Sequence, residues 1–217
     1  MFHERRNDFE TMTPQPADPG LWFGRTPWLT GLVLIGLLAL RLEAFVAFND
    51  HAPGLYTHPN TTRYSPGDTG PLKDIGNASP TPVRVAVIAS SFTAGSVQGH
   101  PLRGTPASVV FDGYVDFSGN PDPGLELDSS GDSVTYEFSG LDPNRRYNFQ
   151  GFAMRGHWGY SNRWTMVELA GARGSVPKHT DGVRTIGQIA TLTPQQALLC
   201  TGDNNAGDLV WWEEIEP

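Results

Sequence analysis

The stretch Val134-Thr135-Tyr136-Glu137-Phe138-Ser139-Gly140-Leu141-Asp142-Pro143-Asn144-Arg145-Arg146-Tyr147-Asn148-Phe149-Gln150-Gly151 decides the fold class. Val134, Tyr136 and Phe138 alternate with Thr135 and Glu137, and Tyr147, Phe149 and Gly151 alternate with Asn148 and Gln150. A period of two places one set of side chains on each face of a pleated strand, so both runs read as half-buried strands. Between them Leu141 fills the edge of a core and Pro143 fixes φ. The Tyr147 hydroxyl is placed to reach back and cap a backbone group that the turn leaves unpaired.

The same period continues on both sides. Val83, Val85 and Val87 alternate with Arg84 and Ala86, and further strands are expected at 44–49, 109–117, 163–170, 186–192, 196–201 and 208–215. Turn clusters at 119–124, 128–132 and 202–208 are rich in residues that accept positive φ or cap a turn through a side-chain oxygen. About nine short strands without a helical period predict an all-β chain, an antiparallel β-sandwich or jelly roll. Residues 51–82 carry six Pro and four Gly without alternation, and read as a long irregular loop. Trp211 and Trp212 are neighbours in a strand and so face opposite ways.

Composition narrows the field. With 25 Gly and 18 Pro in 217 residues, a coiled coil or helical bundle is excluded. Only 18% of residues are charged and 38% are hydrophobic, which excludes a wholly disordered chain. Fifteen basic against 23 acidic residues give a formal charge of -8, and without a basic cluster nucleic acid is not an expected partner. One cysteine, Cys200, supplies neither an intramolecular disulfide nor a cysteine-based zinc site.

Residues 1–27, with four prolines and no apolar period, read as a disordered leader, with Met12 as an alternative start. Trp28 to Leu40 is an apolar run of 13 residues ended by Arg41 and Glu43. That is short of the roughly 20 residues a membrane span needs and fits the core of a secretory signal over 28–44, with cleavage expected after Ala44. The alternative is an uncleaved anchor through Phe48, whose membrane contact would be confined to residues 28–48. Either way residues 45–217 are expected outside the cytoplasm, as one secreted or cell-surface domain.

A wider set of residues carries a resemblance. These are Val46-Ala47-Phe48-Asn49-Asp50, Phe111-Asp112-Gly113-Tyr114-Val115-Asp116, the corner Gly140 to Tyr147, Arg155-Gly156, Tyr160 to Thr165, and Leu209-Val210-Trp211-Trp212. With them the chain resembles a fibronectin-type-III-like β-sandwich module of large exported bacterial surface proteins. The corner itself resembles that family's tyrosine corner, with Leu141, Pro143 and Tyr147 in structural roles. The region is longer than an ordinary fibronectin type III domain. The resemblance implies a sandwich and carries over no catalytic residue.

The chemical candidates are few. His51, His58, His100, His157 and His179 lie in Gly- and Pro-rich loops without metal-ligand spacing and read as solvated; His3 lies in the leader. Gly95-Ser96-Val97-Gln98-Gly99 does not match a nucleophile elbow. Asp116, Asn120 and Asp122, and separately Asp203, Asn204, Asn205 and Asp208, offer oxygen ligands for a structural calcium ion, although turn chemistry explains the same residues. The most unusual composition is Met154 to Trp164, where Arg155, His157, Trp158, Tyr160, Asn162 and Arg163 combine aromatic faces with planar donors. Such a set suits the apolar faces and hydroxyls of a sugar, or a peptide, and equally suits a lid over a core. The expectation is a non-enzymatic exported module for adhesion, scaffolding or recognition of an extracellular glycan or surface protein, with no cofactor beyond that calcium. The alternative is an accessory domain of a carbohydrate-active hydrolase.

Overall fold

Val83, Val85 and Val87 are almost fully buried on strand β4 (Pro80–Ala89), while Arg84 and Ile88 face outward. β4 pairs on one side with β7 (Val134–Ser139), which sets Val85 opposite Phe138 and Val87 opposite Tyr136. On its other side it pairs with β3 (Thr69–Lys73). The coordinates are a computed structural model that describes residues 2–5, 44–51, 53–90, 93–95, 99–117, 124–126, 131–155 and 161–217. The apolar run from Trp28 and the rest of the leader from residue 6 lie outside them, as do Asn120, Asp122, His157, Trp158 and Tyr160. No helix among the described residues is long and apolar enough to cross a membrane.

The remaining strands are β1 (Phe2–Arg5), β2 (Val46–Ala47), β5 (Thr93–Gly95), β6 (Gly124–Glu126), β8 (Arg146–Gly151), β9 (Trp164–Glu168), β10 (Gly174–Pro177), β11 (Gln196–Cys200) and β12 (Val210–Glu216). They form a five-stranded sheet in the order β10-β12-β8-β1-β2, a three-stranded sheet β3-β4-β7, and two pairs, β9 with β11 and β5 with β6. Every strand pairing is antiparallel. The protein is thus β-rich with antiparallel sheets and a single short helix among the described residues. The main buried cluster draws on three of the sheets: Ala47, Tyr147, Val210, Trp212 and Ile215 from the largest, Leu72, Val83 and Val85 from the second, and Ala197 and Leu199 from β11.

The turn between β7 and β8 depends on Gly140 at φ +75°, because a Cβ there would stand 2.3 Å from the Pro82 carbonyl oxygen. Past it, the Tyr147 hydroxyl accepts a hydrogen bond from the Asp142 N–H at 2.8 Å. Leu141 packs at the rim of the main cluster and Pro143 is exposed. Further along, β12 bulges between Trp212 and Ile215, with Glu214 at φ +52°. The buried Asn148 accepts the displaced Glu214 N–H at 3.1 Å. Trp212 is buried and Trp211 half-buried.

The structure corrects several local expectations. The first three residues of the proposed strand at 109–117 fall in a helix, α1 (Pro106–Phe111). Thr105 is extended, Pro106 occupies the first turn, and Ala107 and Phe111, one turn apart, are buried, so helix-start chemistry outweighs the strand preference of Val109 and Val110. Residues 186–192 form turns: the Thr185 carbonyl accepts the N–H groups of Gln188 and Ile189, and the Ile189 carbonyl that of Leu192. Those donors are lost to any ladder. The irregular stretch 51–82 contains β3 and the start of β4; its Gly70-Pro71 pair hides the strand from propensity reading. A Cβ on Gly70 would collide with the Tyr64 phenol, whose hydroxyl donates to the Pro71 carbonyl. Phe2–Arg5, read as part of a disordered leader, pair with β8 and β2, a role that backbone groups fill without side-chain alternation.

Candidate functional site

The segment from Phe152 to Arg163 leaves the five-stranded sheet at the end of β8 and enters β9. Its two ends are tied to one residue. The Arg155 N–H donates to the Thr201 carbonyl at 2.8 Å, and the Thr201 N–H donates to the Arg163 carbonyl at 2.9 Å. Two side-chain contacts reinforce this base: the Thr165 and Thr201 hydroxyls lie 3.0 Å apart, and the Cys200 thiol donates to the Ser161 carbonyl at 3.4 Å. At its foot the Trp164 indole N–H donates to Asn162 Oδ1 at 3.1 Å, and the Arg184 guanidinium stacks 4.2 Å over the Trp164 ring. Arg155 is half-buried, whereas Asn162 and Arg163 are exposed. Of the six residues singled out in this segment, these three are described, and Arg184 and Trp164 join them. Arg184 is twenty residues away in sequence and gave no signal there.

The described members of the two groups of loop oxygens act as braces. Asp116 is buried; its Oδ2 accepts the Tyr56 N–H at 3.0 Å, and its own N–H donates to Asp50 Oδ2 at 2.8 Å. Asp50, which the sequence did not offer as an oxygen ligand, also receives the Thr57 hydroxyl at 2.6 Å. In the second group Asp208 Oδ1 accepts from the Thr180 hydroxyl at 2.8 Å and the Gly182 N–H at 3.1 Å. The buried Asn204 clasps Asp208 through both its N–H and its carbonyl, and Asn205 donates to Asp203. Among the described residues no three His, Cys, Asp or Glu side chains are grouped to hold a metal ion.

Two histidines expected in solvent are packed inside. His51 lies edge-on to Tyr136 at 4.9 Å between ring centres, and its Nε2 is hydrogen-bonded to the Tyr136 hydroxyl. The other ring nitrogen, Nδ1, is buried without a partner. Burial lowers the His51 pKa to about 4 and raises that of Tyr136. His179 sits edge-on to Trp212 at 4.7 Å, and its Nδ1 accepts the Trp211 N–H at 2.9 Å. Burial lowers its pKa as well.

The chain matches no protein-family model, no curated protein and no solved structure.

Proposed function

We propose that residues 45–217 are an exported, non-catalytic recognition module of the cell surface, a β-sandwich of the fibronectin-type-III-like kind, which contacts extracellular glycan through the Met154–Trp164 segment. The observation that carries this reading is the double tie of Arg155 and Arg163 to Thr201. It fixes both ends of a short span whose sequence is rich in aromatic and planar donor residues, which lowers the cost of ordering those ends when a ligand binds. The stacking of Arg184 on Trp164 stiffens the foot of the same span. Antiparallel sheets that hand long loops to solvent suit such a role, since loops on a rigid scaffold are where contact residues concentrate. The apolar run at 28–40 followed by a small residue supports export.

The test is a glycan array probed with the full chain beside Trp158→Ala and Arg163→Ala. Binding to a defined glycan set that both substitutions reduce by about tenfold or more is expected, the scale of one stacking or charge-assisted contact. An array without signal, or a signal that both variants retain, would reject the glycan reading.

A further inference from the structure

Strand β1 holds an unusual place in the large sheet. In the order β10-β12-β8-β1-β2 it separates β2 from β8, so these two are held one strand apart, roughly 9–10 Å at the usual spacing. It runs antiparallel to both, with Phe2 opposite Phe149 and Ala47, His3 opposite Asn148 and Val46, and Glu4 opposite Tyr147. Without a strand in this place the facing N–H and C=O groups of β8 and β2 are unpaired beside the core, and β2 has no sheet partner.

The register assigns each position to a face. Residues directly opposite one another share a face, so the row through position 2 contains Ala47, Phe149 and Trp212, and the row through position 4 contains Tyr147 and Ile215. These five belong to the main buried cluster or pack against it, as does Phe45 just before β2. The row through position 3 contains Val46, which packs against the smaller cluster, and Asn148, which is buried. The slot therefore has interior on both faces. A strand that fills such a place ordinarily reads as a continuous apolar run. Phe2-His3-Glu4-Arg5 instead brings one apolar residue, and places a carboxylate residue in the row of Tyr147 and Ile215, where an unpaired charge is costly.

From this mismatch we infer that the slot between β8 and β2 is an acceptor site for an extended segment of another polypeptide, which takes the place of Phe2–Arg5. In strand addition of this kind, main-chain hydrogen bonds to the neighbours supply affinity and the alternate side chains supply selectivity. The slot selects an apolar residue at each of the two core-row positions and an uncharged residue between them. Phe2–Arg5 meets the backbone requirement and half of the core-row requirement, so it completes the sheet as a replaceable plug. Cleavage after Ala44, part of the export reading above, removes the covalent tie of this strand; the exchange itself depends neither on that step nor on glycan binding.

The experiment uses the full chain carrying His3→Pro and Glu4→Pro. The N–H groups of successive strand residues point to opposite neighbours, so the two prolines remove one ladder donor toward β8 and one toward β2. The probes are a fluorescent octapeptide of residues 1–8 and the same peptide with Glu4→Val, followed by anisotropy and by hydrogen exchange at residues 46–47 and 146–149. Both segments should exchange freely in the variant and become protected when peptide binds. The Glu4→Val peptide should bind at least about tenfold more tightly than the unmodified one, the scale of burying one valine side chain. If the prolines unfold the chain, the Glu4→Val peptide should restore its folding. Segments that stay protected in the variant without peptide would show that the chain closes the slot itself, for example with its apolar run at 28–40, and would overturn the proposal. So would the absence of both binding and rescue, protection at other segments alone, or equal affinity of the two peptides.

Discussion

The larger buried cluster is assembled mostly from strands, with Val83 and Val85 on β4, Tyr147 on β8 and Trp212 on β12. The smaller one, Phe48, Ala107, Phe111 and Leu209, is assembled from residues outside the strands and from α1. In the first, sheet ladders satisfy the backbone, and the side chains need only be apolar and alternate. In the second, ring packing is just as close, with Phe48 stacked on Tyr114 at 4.3 Å, but no ladder runs through it. Its backbone groups are met by scattered backbone partners, such as Thr62 for the Phe48 carbonyl and Gly207 for the Ala107 N–H, and around it by side chains: Thr61 donates to the Tyr114 carbonyl at 2.8 Å, Asn60 to the Ile75 carbonyl at 2.9 Å, and Asp50 receives the Asp116 N–H. The difference teaches that an irregular core is held by specific polar residues, each of which is less replaceable than a valine in a strand.

The most severe break should therefore come from a polar residue. Asp50→Ala removes the acceptor of the Thr57 hydroxyl and the Asp116 N–H, both in the interior. With a charged acceptor contributing roughly 1.5–3 kcal/mol to each bond, a loss of about 3–5 kcal/mol is expected from denaturant unfolding. A loss under about 1 kcal/mol would mean that the seam beside the smaller cluster is held by its rings alone.

The second test uses pH at the junction of the irregular loop and β7, where His51 meets Tyr136. Burial holds the folded-state pKa at about 4, below the ordinary histidine value of 6.5, so the unfolded chain takes up a proton first as pH falls. Stability is unaffected above about pH 6.5, declines between there and pH 4, and gains no further loss from this group below that. The shift corresponds to about 3 kcal/mol in order of magnitude. Subtracting the profile of His51→Gln, which cannot titrate, should isolate that slope; parallel profiles would place His51 in solvent.

A smaller effect is expected at the corner. Tyr147→Phe removes only the hydroxyl that accepts the Asp142 N–H, so a loss of about 1–2 kcal/mol should appear in the denaturant midpoint with the fold retained. An unchanged midpoint would show that water replaces the phenol there.

How legible each region was in sequence follows the same division. The alternation of β4, β7 and β8 was readable because burial on one face writes itself directly into residue type at every second position. β3 and β10 were not, since Thr69-Gly70-Pro71 and Gly174-Ser175-Val176-Pro177 contain residues that propensity assigns to turns. The burial of His51 was equally hidden, because it depends on Tyr136, 85 residues away. The same holds for the stacking of Arg184 on Trp164, set by a contact between distant segments. The Met154–Trp164 segment stood out by composition, but the tie at Thr201 that closes it did not, because backbone hydrogen bonds leave no mark on residue type.

The subtlest test falls on α1, where strand propensity and helix-start chemistry gave opposite readings. Val109 lies in the helix and is 74% exposed, so replacing it with Ala removes almost no buried surface. In a helix the change should be favourable, because a β-branched side chain loses rotamer freedom against the preceding turn, and a gain of a few tenths to about 0.5 kcal/mol is expected. In a strand the same substitution should be unfavourable by a comparable amount, since valine fits a pleated surface better than alanine. The sign of the change, read from thermal or denaturant unfolding against Ala107→Val as a buried-face comparison, thus separates the two readings. Ala107 is fully buried, so added bulk there should destabilise by about 1–3 kcal/mol. A gain at 109 together with a loss at 107 fits only a helix that turns one face into the smaller cluster.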